Sequence, residues 1–220
     1  MANWEEIEDR VRALFESSVQ DVTTVGTIVG SVFSMDATDN SLNRSSGSFL
    51  TDGLLSQFKV TAAGFTEAGN NVSFRTDSAT ATKVVLSGAT VTTEAEGDSV
   101  TLSVLLPVHY PNMPRFTPPG ARLNWLWAAL SVNWDSDQVS GGSTNRFRHA
   151  GLATAEFFAP KAMGTDDINA LCRVCQTAFR AQTVNGITYR TPSLGAVSDD
   201  GTWFKKNVSI PFYSDEVVAA

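Results

Sequence analysis

Two different periodicities run along this chain. From Asn3 to about Val19, apolar residues recur at helical spacing: Ile7, Val11, Leu14, Phe15 and then Ser18 or Val19, with Trp4 extending the stripe by a turn. Glu5, Glu6, Glu8 and Asp9 crowd the start of this segment, where the positive end of the helix dipole favours carboxylates. Asn3 is placed to cap it, with Glu6 reaching back. A second helical stripe comprises Ile168, Leu171, Cys172, Cys175, Ala178 and Phe179. Gly164 permits a turn before it, Thr165 stands at the N-cap, Asp166 and Asp167 fill the first turn, and Arg180 stands at the far end.

Elsewhere the period is two. Phe147 to Phe158 predicts a strand with Phe147, Ala153, Ala155 and Phe157 on one face and Leu152 and Phe158 on the other; Pro160, which has no N–H, ends it. The apolar run from Arg122 to Trp134 is read as a strand because of its aromatic content, with Leu123, Trp125, Trp127 and Ala129 facing one way and Leu126, Leu130, Val132 and Trp134 the other. These two strands predict a long hairpin around a flexible loop over 135–145, which contains Gly141–Gly142. Short strands are predicted over 186–190 and 193–197, a turn at Asp199–Asp200–Gly201, a last strand from Trp203 to Tyr213, and a loose tail from Ser214.

Between Thr24 and Ser103 the pattern is of short strands, at 27–33, 57–61, 71–75, 83–86, 90–93 and 99–103, separated by turn-rich breaks. Phe33, Phe49, Phe58, Phe65 and Phe74, with Val60, Val84, Val85 and Leu102, are the expected core. Composition changes with the pattern. All eight prolines, five tryptophans, three tyrosines, two histidines and two cysteines lie outside this stretch. The expected organisation is therefore an α+β domain, an antiparallel sheet with two helices packed on it, made of residues 1–23 plus 104–220. An all-β small barrel or sandwich module over 24–103 interrupts it. Such an insertion is tolerable because loop-closure entropy grows slowly with length. Val104 to Pro119 is apolar and then proline-studded, which forces an extended path.

Charge and chemistry narrow the function. A formal net charge of −7 argues against a protein built to grip nucleic-acid phosphates, although it suits a surface that DNA passes without sticking. No apolar run is long enough to span a membrane, and the acidic, amphipathic start is unlike a signal peptide, so a reducing intracellular setting is expected. Cys172 and Cys175 form a CxxC two turns inside a helix rather than at its start, with no second CxxC, which favours inert core thiols over redox or zinc chemistry. His109 and His149 adjoin no nucleophile motif, and Asp135, Asp137, Asp199 and Asp200 sit in turn sequences without calcium-loop spacing. No catalytic residue, cofactor or metal ligand is assigned. The alternate tryptophans Trp125, Trp127 and Trp134 instead suggest a strand buried on both faces, the second by another copy of the chain or by an ordinary core.

The outer parts of the chain resemble the tail terminator (tail completion) proteins of long-tailed bacteriophages. The resemblance rests on MANWEEIEDRVRALFESSV, on LPVHYPNMPRFTPP with Tyr110-Pro111-Asn112, on the strand and helix FRHAGLATAEFFAPKAMGTDDINALCRVCQTAF with its Arg148-His149-Ala150-Gly151, and on the closing GTWFKKNVSIPFYSDE. It covers about two-thirds of the sequence. Family members usually pass from the first helix almost directly to the aromatic-Pro-Asn segment; the intervening stretch here is similar to β-modules added to phage tail proteins. The resemblance implies a non-enzymatic virion protein, assembled in the bacterial host cytoplasm. It implies a homo-hexamer whose ring caps the tail-tube protein ring, stops tube growth and meets head-completion or connector proteins, with DNA passing through its lumen. Trp125, Trp127, Trp134, Arg148, Phe157, Tyr110, Asn112 and Phe116 are the expected ring-interface residues. A head–tail stopper or connector, a carbohydrate-binding module using exposed tryptophans, and a hydrolase are the competing readings.

Overall fold

The structure is a computed structural model that describes residues 4–111, 113, 116–120, 123–140 and 144–219, without the side chains of 4, 136–140, 144–146 and 216–219. Helix α1 (Trp4–Phe15) continues into a wider π-helical turn over Glu16–Gln20. Strands β1 (Thr24–Gly30), β2 (Phe33–Asp36), β3 (Ser41–Arg44), β4 (Lys59–Ala63), β5 (Ser73–Ala79), β6 (Lys83–Ser87), β7 (Val100–Leu105) and β8 (Val108–His109) follow. The long strands β9 (Trp127–Ser140) and β10 (Thr144–Pro160) precede helix α2 (Asp166–Phe179). Strands β11 (Thr183–Val184), β12 (Ile187–Tyr189), β13 (Ser193–Leu194), β14 (Ser198–Asp199) and β15 (Trp203–Ala219) complete the chain. The fold is thus α+β, with antiparallel sheets and two α-helices.

The chain divides into two compact units, one of Met1–Gln20 with Ala128–Ala220, the other of Asp21–Trp127. In this division residues 104–127 go with the β-rich unit, whereas their composition had grouped them with the helices. The reason is visible in Trp125: it is buried among the core residues of that unit, and its ring fills the space above Gly26.

The β-rich unit is a seven-stranded sheet in the order β1-β7-β4-β5-β6-β3-β2. Its outermost strands, β1 and β2, are joined only by Ser31 and Val32. In a flat sheet the six ~4.8 Å spacings would set those strands ~29 Å apart, yet three peptide steps reach at most ~11 Å. The sheet is therefore strongly coiled. Phe33, Phe49, Phe58, Phe65 and Phe74 lie in its core as expected, and Phe33 stacks on Phe49 at 5.9 Å. Val85 does not, because the alternation that buries Val84 and Leu86 turns it outward. The expected strand over 90–93 is absent for a specific reason. Asn40 Oδ1 accepts from Val91 N at 3.2 Å and Asn70 Oδ1 accepts from Thr92 N at 2.8 Å, so side-chain amides take the place of a ladder. Conversely, β2 and β3, which bury Phe33, Met35 and Leu42, pair around a turn closed by Asn40 at φ 51°, a conformation Asn tolerates, and strands of four residues carry little periodic signal.

In the other unit the sheet runs β11-β12-β15-β10-β9, with β13 and β14 also on β15. β10 and β15 are in register along their whole length, from Thr144↔Ala219 to Pro160↔Trp203. The predicted loop over 135–145 is thus largely strand, and the tail from Ser214 is paired as far as Ala219 rather than loose; residues 141–143 and Ala220 lie outside the described residues. The predicted strand from 122 begins only at Trp127, because Asn124 takes φ 54° and breaks the extended path. Ala153, Ala155 and Phe157 on β10, with Val208, Ile210 and Phe212 on β15, face the helices and are buried. Against them pack Phe15, stacked on Phe157 at 6.1 Å, and Phe179, edge-on to Tyr189 at 5.1 Å. Ile168, Leu171, Cys172, Cys175 and Phe179 form the buried stripe of α2, as the spacing predicts. Thr165 makes no side-chain capping bond, so Asp166 and Asp167 alone complement the N-terminal dipole. The proposed cap at Asn3 lies outside the described residues.

Candidate functional site

Among the described residues of the helix-bearing unit, one face of the sheet carries no helix. Residues facing each other across β10 and β15 share a face, so Arg148, Ala150, Leu152, Thr154, Glu156 and Phe158 lie opposite Asp215, Tyr213, Pro211, Ser209, Asn207 and Lys205. This open face is a mosaic of paired charges around apolar patches. Arg148 donates from Nε and Nη2 to the two carboxylate oxygens of Asp215 at 2.7 and 2.8 Å. Its guanidinium also lies 4.6 Å from the Tyr213 ring centre, which Arg190 approaches at 5.6 Å. The Asp215 carboxylate raises the Arg148 pKa further above its ordinary value, so this cation stays charged. Lys205 pairs with Glu156 at 2.6 Å and lies over Phe158. Leu152, 42% exposed, stands in the middle of the face.

The face is also long. At ~3.3 Å per residue, the 17 residues of β10 reach ~56 Å, whereas the 14 residues of α2 at ~1.5 Å per residue cover only ~21 Å. The outer ends of β9, β10 and β15 form a three-stranded extension of the sheet beyond the helix.

The residues expected at an interface are distributed differently from one another. Arg148 is on the open face. Phe157 is on the opposite face and fully buried against Phe15, and Trp125 and Tyr110 are buried as well. Phe116 and Trp127 are half-buried in the β-rich unit, with Phe116 touching Phe58, His109 and Trp127 at ring-centre distances of 6.3, 5.2 and 5.9 Å. Trp134 is half-buried on the helix side of β9, edge-on to the buried His149 at 5.1 Å. Asn112 lies outside the described residues. The structure brings Phe116 together with Trp127, and leaves Trp134 apart from Trp125 and Trp127. The sequence reading missed Asp215 because it ended the last strand at Tyr213, one alternation short of the residue opposite Arg148; it did not single out Tyr213 within that strand, and Arg190 lies outside it.

Gly151, from the Arg-x-x-Gly segment, has a direct packing role. A Cβ there would stand 2.4 Å from Phe212 Cζ, 2.6 Å from the Asn133 carbonyl oxygen and 2.7 Å from Trp134 Cβ. Its absence lets β9 and the Phe212 ring close over β10.

Candidate chemistry is sparse. Cys172 and Cys175 are free and buried; burial pushes the Cys172 thiol up to about 11 and the Cys175 thiol higher still, so both are held as poor nucleophiles. His109 and His149 lie in different units, each against an aromatic ring. Asp199 and Asp200 accept backbone amides of Gly201, Thr202 and Trp203, which is turn chemistry. Among the described residues no group of three or more His, Cys, Asp or Glu is placed to hold a metal ion, and no helix is long and apolar enough to cross a membrane.

No family model matches this chain, and no curated protein matches it. Among solved structures, one chain whose description states no function is similar at 18% identity over 52% of this chain and 82% of that one, with a TM-score of 0.36. A likeness of that size carries no argument about fold or function.

Proposed function

We propose that this protein is a structural component of a phage tail that assembles into a ring, caps the tail tube and joins it to head-completion proteins. One observation carries the reading. Three long strands extend past the helices and present an open face with organised charge pairs and an exposed leucine. A monomeric protein has little use for so long a one-sided sheet, whereas in a ring each copy can lay that face, or its three-stranded extension, on the next. The sequence resemblance of the outer segments gives this surface its context, a hexameric tail terminator. The net charge of −7 suits a lumen through which DNA slides.

In this reading the β-rich unit is an inserted small barrel: the two-residue link between its outermost strands curls the sheet toward closure, and its composition differs from that of the rest. It decorates or braces the ring. A sugar platform at Trp125 is disfavoured, since that ring is buried under the unit's own backbone.

The test is to mix the purified protein with tail tubes and, separately, with DNA-filled heads lacking tails, and to image both. Binding confined to tube ends supports a terminator. Binding confined to heads would move the assignment to a stopper or connector, and binding to neither would overturn a neck role.

A further inference from the structure

The two outer edges of the coiled sheet are treated differently. The outer edge of β2 is closed: Met35 N donates to Glu94 O at 3.0 Å and Glu94 N to Met35 O at 2.9 Å. Among the described residues no segment pairs with the outer edge of β1. Leu106 N donates to Thr23 O at 2.8 Å, and by strand alternation this turns the amides of Val104, Leu102 and Val100 toward β1. Their register partners Gly26, Ile28 and Gly30 answer them, so the N–H and C=O groups of Thr27 and Val29 point away from the sheet. β1, TVGTIVG, contains no charge and no proline, the residues that usually protect an edge. Val29 is 63% exposed, and the neighbouring Val22, at 65%, is the only large apolar side chain more exposed among the described residues.

β1 is also complementary to itself. Ile28 points into the core, leaving Thr27 and Val29 exposed, whereas Val25, at the bulge, packs partly against the core. Antiparallel pairing about Thr27 sets Thr27 opposite Thr27 of a second copy, an uncharged β-branched cross-strand pair. The bulge between Thr24 and Gly26 leaves Thr27–Gly30 regular against Ser103–Val100. We infer that β1 is a strand-addition site for β1 of a second copy of this chain, joining two coiled sheets about a two-fold axis. Such a contact cannot be the repeating contact of a closed cyclic ring. It joins one assembly, or one free protomer, to another, and it stands independently of the ring reading.

Disulfide trapping in the full chain tests both contact and register. Paired about Thr27, the two Thr27 Cα atoms are ~5.5 Å apart, within disulfide reach. The two Val29 Cα atoms are displaced by four residues, ~13 Å along the strand, which is beyond it. Mild oxidation should convert Thr27→Cys to a covalent dimer about tenfold faster than Val29→Cys. Cys172 and Cys175, being buried, stay reduced. Equal rates for Thr27→Cys and Val29→Cys, or no dimer from either, would overturn the inference. As a readout without new thiols, Thr27→Lys should abolish the concentration-dependent doubling of mass expected of the wild type; a wild type whose mass never doubles also overturns it. Rings seen by microscopy in the Thr27→Lys protein would keep the ring reading intact while β1 pairing fails, so the two outcomes separate.

Discussion

Replacing Gly151 by alanine puts a single methyl group where the structure has none to spare. The backbone at Gly151 is ordinary strand, so space alone decides the effect. The new Cβ would meet the Phe212 ring at 2.4 Å, the Asn133 carbonyl oxygen at 2.6 Å and Trp134 Cβ at 2.7 Å. The ring can swing aside, but the carbonyl belongs to the neighbouring strand and cannot move without shifting β9 against β10. Overpacking of this kind costs ~1–3 kcal/mol, and immovable backbone on one side puts Gly151→Ala near ~3 kcal/mol. With a urea dependence of ~2 kcal/mol per molar, the midpoint for unfolding of this unit should fall by ~1.5 M. Phe212→Leu shortens the ring side of the clash and alone costs ~1 kcal/mol as a change of core shape. If the argument holds, the double variant is less destabilised than the sum of the singles by ~1 kcal/mol. A Gly151→Ala midpoint within ~0.25 M of the wild type, or strictly additive singles, would refute the reasoning.

Further expectations concern the core, the open face and the β-rich unit. Phe157→Ala removes the ring stacked on Phe15 and should cost ~3–5 kcal/mol in thermal or urea unfolding, without any need to invoke an interface; a loss under ~1 kcal/mol would mean that this core is not packed as described. The Cys172 thiol ionises ordinarily near 9.0 and in the fold near about 11, so the unfolded chain loses that proton first. Stability should therefore be insensitive to this group below pH 9 and fall between about pH 9 and 11. Cys172→Ala should make that decline shallower without removing it, because the Cys175 thiol is raised as well, and a thiol reagent should reach either cysteine only after unfolding. Arg148→Ala should leave the melting temperature nearly unchanged, because the ion pair with Asp215 is solvent-accessible, while weakening assembly measured by light scattering; the opposite pattern would remove the open face from the interface. Replacing Asp21–Trp127 by a flexible linker should leave the oligomer size unchanged, and a monomeric product would make the β-rich unit essential to the ring.

How much of this was legible beforehand differs from element to element. The α2 stripe and the alternation of β10 were readable because each periodicity is local and a single layer buries one side. The five phenylalanines of the β-rich unit were readable for the same reason. What was lost depended on partners distant in sequence. Nothing near Ser214 says that it is strand; that follows from its register with His149, and the continuation to Ala219 follows from Thr144. Trp125 looked like one of three strand tryptophans until the left-handed Asn124 turned it into another core over Gly26. The segment 90–93 had strand composition, but Asn40 and Asn70 claimed its amides from fifty-one and twenty-two residues away. The open face was half visible: Arg148 stood out, while Tyr213, Asp215 and Arg190, which hold its side chain or share its aromatic partner, needed the register.

The ring is the central claim, and negative-stain electron microscopy of the purified full-length protein tests it most directly. The account predicts closed rings with a central hole, seen face-on, whose mass by light scattering is that of six chains, the count implied by the ~two-thirds resemblance to tail terminators. A field of single small particles with a monomer mass, at concentrations where the protein is folded, would contradict it.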